Sequence, residues 1–394
     1  STLSGWTETT DRYDKKTFLV GDRGDNTWWD DGLTLKAAYN LTPKTKIGAT
    51  FMQSRYEYDY DAPHTFLRDA SGNPVWSYTG LSESSFLPGG GGRTQGIYGV
   101  NFESQDIKAL TIKGNVAYLH VDDDWYVTTL TGATRSGGPG YVSNTPHEAL
   151  TQELQVTLPL KAISDHSFLN RHTLTVGQSY KTGHSDTKEK QLTDWRDEDS
   201  TTNLRFQSKG KDRVWAAFIQ DEIAILENLT AYVGVRQDWW KTYDGFVVDL
   251  DTSTWAPKAG YPKTYGERSE SSTSPKAALV YEPFGATTLR GSVGKAFRPP
   301  TPYELYRTWT SSSGVTYAGN PSLKPETTVS WDLGLDQKLW KNARGSVTYF
   351  ENYMKDLIYR QTVSPTYQEL VNVGKAESRG VEVELEQRFF DWLT

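Results

Sequence analysis

The side chains best able to do chemistry here are aromatic rings and arginines set in polar stretches rich in glycine and proline. Trp76 and Tyr78 fall in one such stretch, Trp125 and Tyr126 in a second, and Trp195 with Arg196 in a third. Tyr243 and Trp255 follow, and then Tyr306, Arg307, Trp309 and Tyr317. Ring faces and guanidinium planes stack on flat, electron-rich ligands. They suit capture of a flat ligand rather than bond making. These residues are the candidate ligand contacts; the plainer role for any one of them is packing within a loop or an aromatic belt.

Groups that could do covalent or metal chemistry form no recognisable pattern. There are no cysteines, which excludes disulfides, thiolate zinc sites, iron–sulfur clusters and a Cys nucleophile. Ser185 and Lys188 match a Ser-x-x-Lys string but lack the helix and partner motifs that make it catalytic. His120, Asp122 and Asp124 would share one face of a strand and could hold a cation. The run reads more simply as a strand entering water. The acidic stretch 194–199 lacks the glycine and spacing of an EF-hand. No acid pair stands out from the 49 carboxylates, so no catalytic residue, metal site or cofactor is assigned. The net charge of −7 and the absence of a long basic stretch argue against nucleic acid as a partner.

The elements that must position these residues are strands. Apolar residues make up 36% of the 394, and no apolar run is long enough for a membrane-crossing helix. Instead, apolar and polar residues alternate. Val381, Val383 and Leu385 alternate with Glu382, Glu384 and Glu386; Leu229, Ala231, Val233 and Val235 alternate with Thr230, Tyr232, Gly234 and Arg236. The pattern predicts fourteen strands, near 11–20, 33–41, 46–58, 96–104, 110–121, 149–159, 172–182, 213–226, 229–241, 274–283, 287–298, 327–340, 344–358 and 375–388. Short turns near 42–45, 105–109, 160–171, 227–228, 284–286 and 341–343 alternate with long polar loops near 59–95, 122–148, 183–212, 242–273, 299–326 and 359–374.

Tight turns on one rim and long loops on the other are the pattern of a transmembrane antiparallel up-and-down β-barrel. Strands can cross hydrocarbon only when every backbone group is paired, which requires closure. The glutamates at 382, 384 and 386 would face water and the Val and Leu rows would face lipid. Trp239-Trp240, Trp125-Tyr126, Trp340 and Phe389-Phe390 would suit an interfacial aromatic girdle. A soluble all-β carbohydrate-binding protein, prompted by the 14 Trp and 23 Tyr, is the alternative. It would show shorter strands and an internal repeat of about 40–50 residues, and no such repeat is visible.

One region is more specific. Val293-Gly294-Lys295-Ala296-Phe297-Arg298-Pro299-Pro300-Thr301-Pro302-Tyr303-Glu304-Leu305-Tyr306 is followed by Gly319-Asn320-Pro321-Ser322-Leu323-Lys324-Pro325-Glu326-Thr327. Together with 217–222, 232–238 and 377–384, these strings closely resemble the TonB-dependent outer-membrane receptors. The prolines also have a plain structural reading. Pro299, Pro300 and Pro302 mark where a strand leaves its sheet, and Arg298 and Glu326 are not assigned to a ligand.

The resemblance implies a barrel of about 22 strands with a plugged lumen. In that family a plug, and before it a TonB-contacting segment, precede the barrel; nothing in 1–32 looks like either. The expectation is therefore that 1–394 is one barrel domain, incomplete at both ends, with the plug absent. Its surroundings would be outer-membrane lipid, its energy partner TonB through a segment absent from this chain, and its cargo a ferric siderophore or other small-molecule chelate. The haem branch of the family carries a His between the two proline strings, whereas the last His here is His184. That counts against haem. A passive substrate-selective porin shares the barrel and is the second functional reading.

Overall fold

The computed structural model describes residues 6–10, 17–163, 166–310 and 315–389, with side chains described from residue 20 onward. Thirteen long strands form one curved antiparallel sheet of barrel type. They are β1 (Asn26–Thr42), β2 (Thr45–Tyr60), β3 (Gly91–Ser104), β4 (Thr111–Thr129), β5 (His147–Pro159), β6 (His172–Leu192) and β7 (Thr201–Leu226). β8 (Leu229–Asp249), β9 (Arg268–Phe284), β10 (Thr287–Arg298), β11 (Glu326–Trp340), β12 (Ala343–Ser364) and β13 (Tyr367–Gln387) complete the series. Each pairs with the next in sequence, as an up-and-down topology requires.

Alternation fixes which face is which. Val233, Val235, Leu279, Leu289, Val293, Leu333 and Leu335 all stand exposed on one outer face. A soluble sheet would bury such a row, because each side chain removed from water contributes about 1.5–3 kcal/mol. Val383 on β13 is 74% exposed. The opposite face is polar and cross-linked. Arg290 reaches Asp336 at 3.0 Å and Thr348 at 2.7 Å, Arg236 reaches Asp238 at 2.9 Å and Ser179 at 2.7 Å, and Arg344 pairs with Glu386. The glutamate row on β13 thus shares the inner face, as its alternation predicts.

The tight rim is built by short connections such as Lys341-Asn342, where Asn342 takes a left-handed φ of 63° next to a shift in the β11–β12 register, the combination of a tight turn closed by a bulge. On the other rim the strands run far beyond their predicted ends. Most of the stretches expected as loops at 183–212 and 359–374, and the first part of 242–273, are strand; β6 and β7 are joined only by 193–200, and β12 and β13 by 365–366. Along the β6 extension both faces are polar (Lys188, Glu189, Lys190), so the period-two signal vanishes there although the backbone ladder continues.

Two more expectations change. The strand predicted at 11–20 is not part of the curved sheet: Thr17–Asp22 joins a separate three-stranded sheet with Trp6–Thr10 and His64–Thr65, and 11–16 lies outside the described residues. The aromatic dipeptides cannot both serve a girdle, because neighbours in a strand point to opposite faces. Trp239 faces outward and stacks on Trp215 at 4.6 Å, whereas Trp240 turns inward and is 1% exposed. Phe390 lies outside the described residues.

Candidate ligand-binding site

The described parts of the segment 299–325, residues 299–310 and 315–325, enter the inner face rather than arching over the rim. Pro299 and Pro300 end β10, and Thr301 then caps the short helix α1 (Pro302–Tyr306). The Glu304 N–H donates to Thr301 Oγ1 at 3.2 Å and the Thr301 N–H donates to Glu304 Oε2 at 2.8 Å, a closed capping box with Pro302 at its first turn. Arg298 donates to both oxygens of Glu304 at 3.1 and 3.0 Å and also to Glu326, whose other oxygen accepts the Ile358 N–H at 2.7 Å. The Asn320 amide donates to the Leu370 carbonyl at 2.9 Å, and Asn372 brackets Lys324 with bonds of 2.7 and 2.9 Å. The conspicuous residues of the two proline strings therefore knit the segment to its neighbours.

Packing completes the attachment. Leu305, Tyr306 and Leu323 are buried with Phe206, Trp240, Val247 and Leu370. The Tyr306 ring lies over Gly210 and Gly245, where an added Cβ would stand 2.5 and 2.7 Å from it. Its hydroxyl meets Thr242 Oγ1 at 3.0 Å.

Arg307, next in the chain, spans to the opposite side of a buried polar cluster. It donates to Glu189 at 2.9 Å, Tyr126 Oη at 3.2 Å and Ser143 Oγ at 3.3 Å, and its guanidinium lies 5.2 Å from the Phe206 ring centre. Burial is the largest single influence on Arg307 and pulls its pKa down, but the Glu189 charge, the Tyr126 and Tyr303 phenols and the hydrogen bond to Glu189 together make the net shift upward. Arg205 also approaches Glu189, at 3.7 Å, and covers the Tyr141 ring at 4.2 Å. Burial, with the Glu189 charge nearby, pushes the Tyr141 phenol up to about 12. Tyr126, Tyr306 and Arg307 are thus all engaged by protein partners.

A second cluster lines an open cavity of about 650 Å³ at the loop rim. Trp125, Trp195 and Arg196 meet there with Trp28, Tyr58 and Arg135. Trp28 stacks on Tyr56 at 4.6 Å and on Tyr58 at 6.0 Å. The Trp195 indole N–H donates to the Thr134 carbonyl at 2.9 Å, which fixes the ring plane. Arg196 forks onto Asp194 with bonds of 3.1 and 2.7 Å, and this hydrogen bonding holds the Asp194 carboxyl below its usual range. Glycine is favoured at 137 by its φ of 121°, and its bare Cα lets the Asp194–Arg196 pair close over it.

The remaining candidates stand apart from this cavity. Trp76 packs edge-on to Phe86 at 5.5 Å and is covered by Arg135 at 4.0 Å, so it backs one cavity residue. Tyr78 is exposed in a bridge to Leu81. Trp309 and Tyr317 stack on each other at 4.2 Å across a short hairpin, with Arg360 over Tyr317 at 5.2 Å. Tyr243 lies in β8 opposite Lys211, and Trp255 sits in the loop after β8 with a φ of 59°. Trp28, Tyr58 and Arg135 were missed by sequence reasoning. The alternating tyrosines at 56, 58 and 60, which put three rings on one strand face, are the signal that could have found the first wall. The cation reading of 120–124 dissolves: Asp122 is the extra residue of a bulge, and Asp124 points to Arg93 at 3.8 Å while His120 bonds Asp122 at 2.7 Å. Among the described residues no group of three or more potential ligands could hold a metal ion.

This architecture has relatives. The family described as TonB dependent receptor-like, beta-barrel matches residues 38–394. An iron-regulated outer membrane virulence protein of Vibrio cholerae is 29% identical over 204 residues, 48% of this chain and 27% of that protein. Among solved structures, the copper transporter OprC superposes with a TM-score of 0.65 at 16% identity over 98% of this chain and 55% of that one. A mutant of the ferric enterobactin receptor PfeA of Pseudomonas aeruginosa gives 0.61 at 16% identity over 98% and 52%. The chain thus spans about half the length of these solved structures, which share its fold, and the matched part covers about a quarter of the V. cholerae protein. By this match, from residue 38 to its last residue, the chain belongs to the TonB-dependent receptor family and is a non-catalytic outer-membrane β-barrel.

Proposed function

We propose that this chain is the larger part of a roughly 22-stranded receptor barrel that takes up a ferric siderophore or similar bulky chelate through the outer membrane, driven by TonB. The observation that carries the reading is the rim cavity. It sets Trp28, Trp125 and Trp195 beside Arg135 and Arg196, in a lining that also carries Glu57, Asp59, Asp61 and Glu198, with the two guanidiniums paired to Glu83 and Asp194. Catecholate and mixed chelates are flat and electron-rich, so the ring faces are the part of the cavity that would hold them. The names of the relatives agree, since the V. cholerae protein is iron-regulated and the P. aeruginosa structure is a ferric enterobactin receptor. Passage would follow rearrangement of a plug within the barrel; the barrel residues themselves only bind and position.

Tryptophan fluorescence of the full-length receptor, titrated with a panel of ferric catecholates and hydroxamates, tests this. At least one chelate is expected to quench with a micromolar or tighter Kd. Replacing Trp125 and Trp195 with alanine should weaken it by roughly 5- to 150-fold, taking about 0.5–1.5 kcal/mol per ring. Iron accumulation in cells should stop when TonB is deleted. Accumulation that continues without TonB would favour the passive porin and overturn the coupled reading.

A further inference from the structure

The outer wall just beyond the Trp215–Trp239 pair carries charge that the protein itself does not neutralise. Two residues from Trp215, Arg213 of β7 stands directly opposite Lys241 of β8. Like charges facing each other across a ladder repel. Lys241 pairs with Glu267, but Arg213 is exposed and has no hydrogen bond or ion pair among the described residues. Lys211 and Lys209 continue the same face of β7 at two-residue steps. Lys211 meets Asp244 at 3.0 Å, whereas Lys209 lies over the Phe246 ring at 5.4 Å and, although Asp186 stands opposite it on β6, forms no ion pair among the described residues. β6 adds Lys188, paired with Asp186 at 3.2 Å, and the exposed Lys190. The cations on this sector therefore outnumber the acids, in a chain whose net charge is −7. The corresponding face of β4 and β5 differs, with Asp122 and Glu148 around His120.

Position decides what the surplus is for. Strands rise about 3.3 Å per residue, so Arg213 and Lys241 lie roughly 7 Å along their strands from the tryptophan belt. That is the depth of lipid headgroups, outside the hydrocarbon. Below the belt the same face is apolar, with Ile219, Val233 and Val235 exposed. An amphiphile with an anionic head and acyl chains would match both zones at once. We propose that Arg213, Lys209 and Lys241 form a docking site for the phosphorylated headgroup of an outer-leaflet lipid, its chains lying against the apolar wall beneath. The proposal does not depend on which chelate, if any, the rim cavity takes.

The test compares binding of bisphosphorylated lipid A and enzymatically dephosphorylated lipid A to the full-length protein in neutral detergent, read by native mass spectrometry. Each cation near an anionic surface gives about five-fold. The phosphorylated form should therefore bind at least roughly thirty-fold tighter, and the preference should fade in high salt. The double variant R213Q/K209Q should lose most of the preference while keeping the heat-modifiable gel migration of the folded barrel. Should that variant fail to fold, the two lipids on the unaltered protein still decide. Equal binding of the two lipids, or a preference unchanged in the folded variant, overturns the proposal. So does inorganic phosphate competing at the concentrations where the lipid binds, since that would make the site one for a free anion.

Discussion

Replacing Arg307 with alanine will destabilise the protein by up to about 3–5 kcal/mol, because buried Glu189 then keeps only the more distant Arg205, at 3.7 Å, as a counter-charge. The two side chains are 3% and 6% exposed, so water cannot take over the role of the missing partner. Arg307 also donates to Tyr126 and Ser143, which lose a donor at the same time. The substitution should free the 299–325 segment from β6, and limited proteolysis should then cut there. Glu189→Gln should lower stability in the same direction. The double change Arg307→Met with Glu189→Leu should recover most of the loss, since paired apolar replacements remove the stranded charge. Denaturant unfolding in micelles measures all three. A single-variant loss below about 1 kcal/mol would mean that helix packing alone holds the segment.

The second large effect is on the outer face. Leu279 sits near the middle of β9, flanked by Ala231 of β8 and Gly291 of β10. Leu279→Arg should cost about 2–4 kcal/mol in lipid vesicles, the depth-dependent penalty for a cation in hydrocarbon. Ala278→Arg, one residue away on the inner face, should cost less than about 1 kcal/mol, because its head can reach water. Equal costs at both positions would contradict the assignment of faces.

How much of this was legible depends on the range of the interaction. Alternation is local, so the membrane-crossing parts of the strands and their facing were readable from rows such as Val381-Glu382-Val383-Glu384. The proline strings announced where β10 ends and β11 begins. They did not announce that α1 would bury Leu305 and Tyr306 against β7 and β8. That packing requires Gly210 and Gly245, about 60–95 positions earlier in the chain. Arg307 and Glu189 are 118 positions apart, and no periodicity connects them. Arg307 reads as a free loop cation until the fold supplies its partner. The rim cavity was half legible: Trp125, Trp195 and Arg196 stood out by type, while Trp28 and Tyr58 were hidden in a strand whose aromatic residues pass for girdle. The polar strand extensions were misread as loops because, beyond the bilayer, no solvent difference imposes two faces.

One side of the sheet must meet hydrocarbon and the other water if the strands cross a membrane. These 394 residues hold no cysteine, so once any cysteine elsewhere in the full-length protein is replaced by serine, single cysteines carrying a nitroxide can be placed from 276 to 281 in the reconstituted receptor without background labelling. Relaxation by oxygen, which partitions into lipid, and by a water-soluble nickel chelate should then alternate with a period of two. Labels at 277, 279 and 281 should respond to oxygen, and those at 276, 278 and 280 to nickel. Labels at 277, 279 and 281 that respond to nickel, or that are shielded from both reagents by packed protein, would contradict a lipid-facing wall and the receptor barrel built on it.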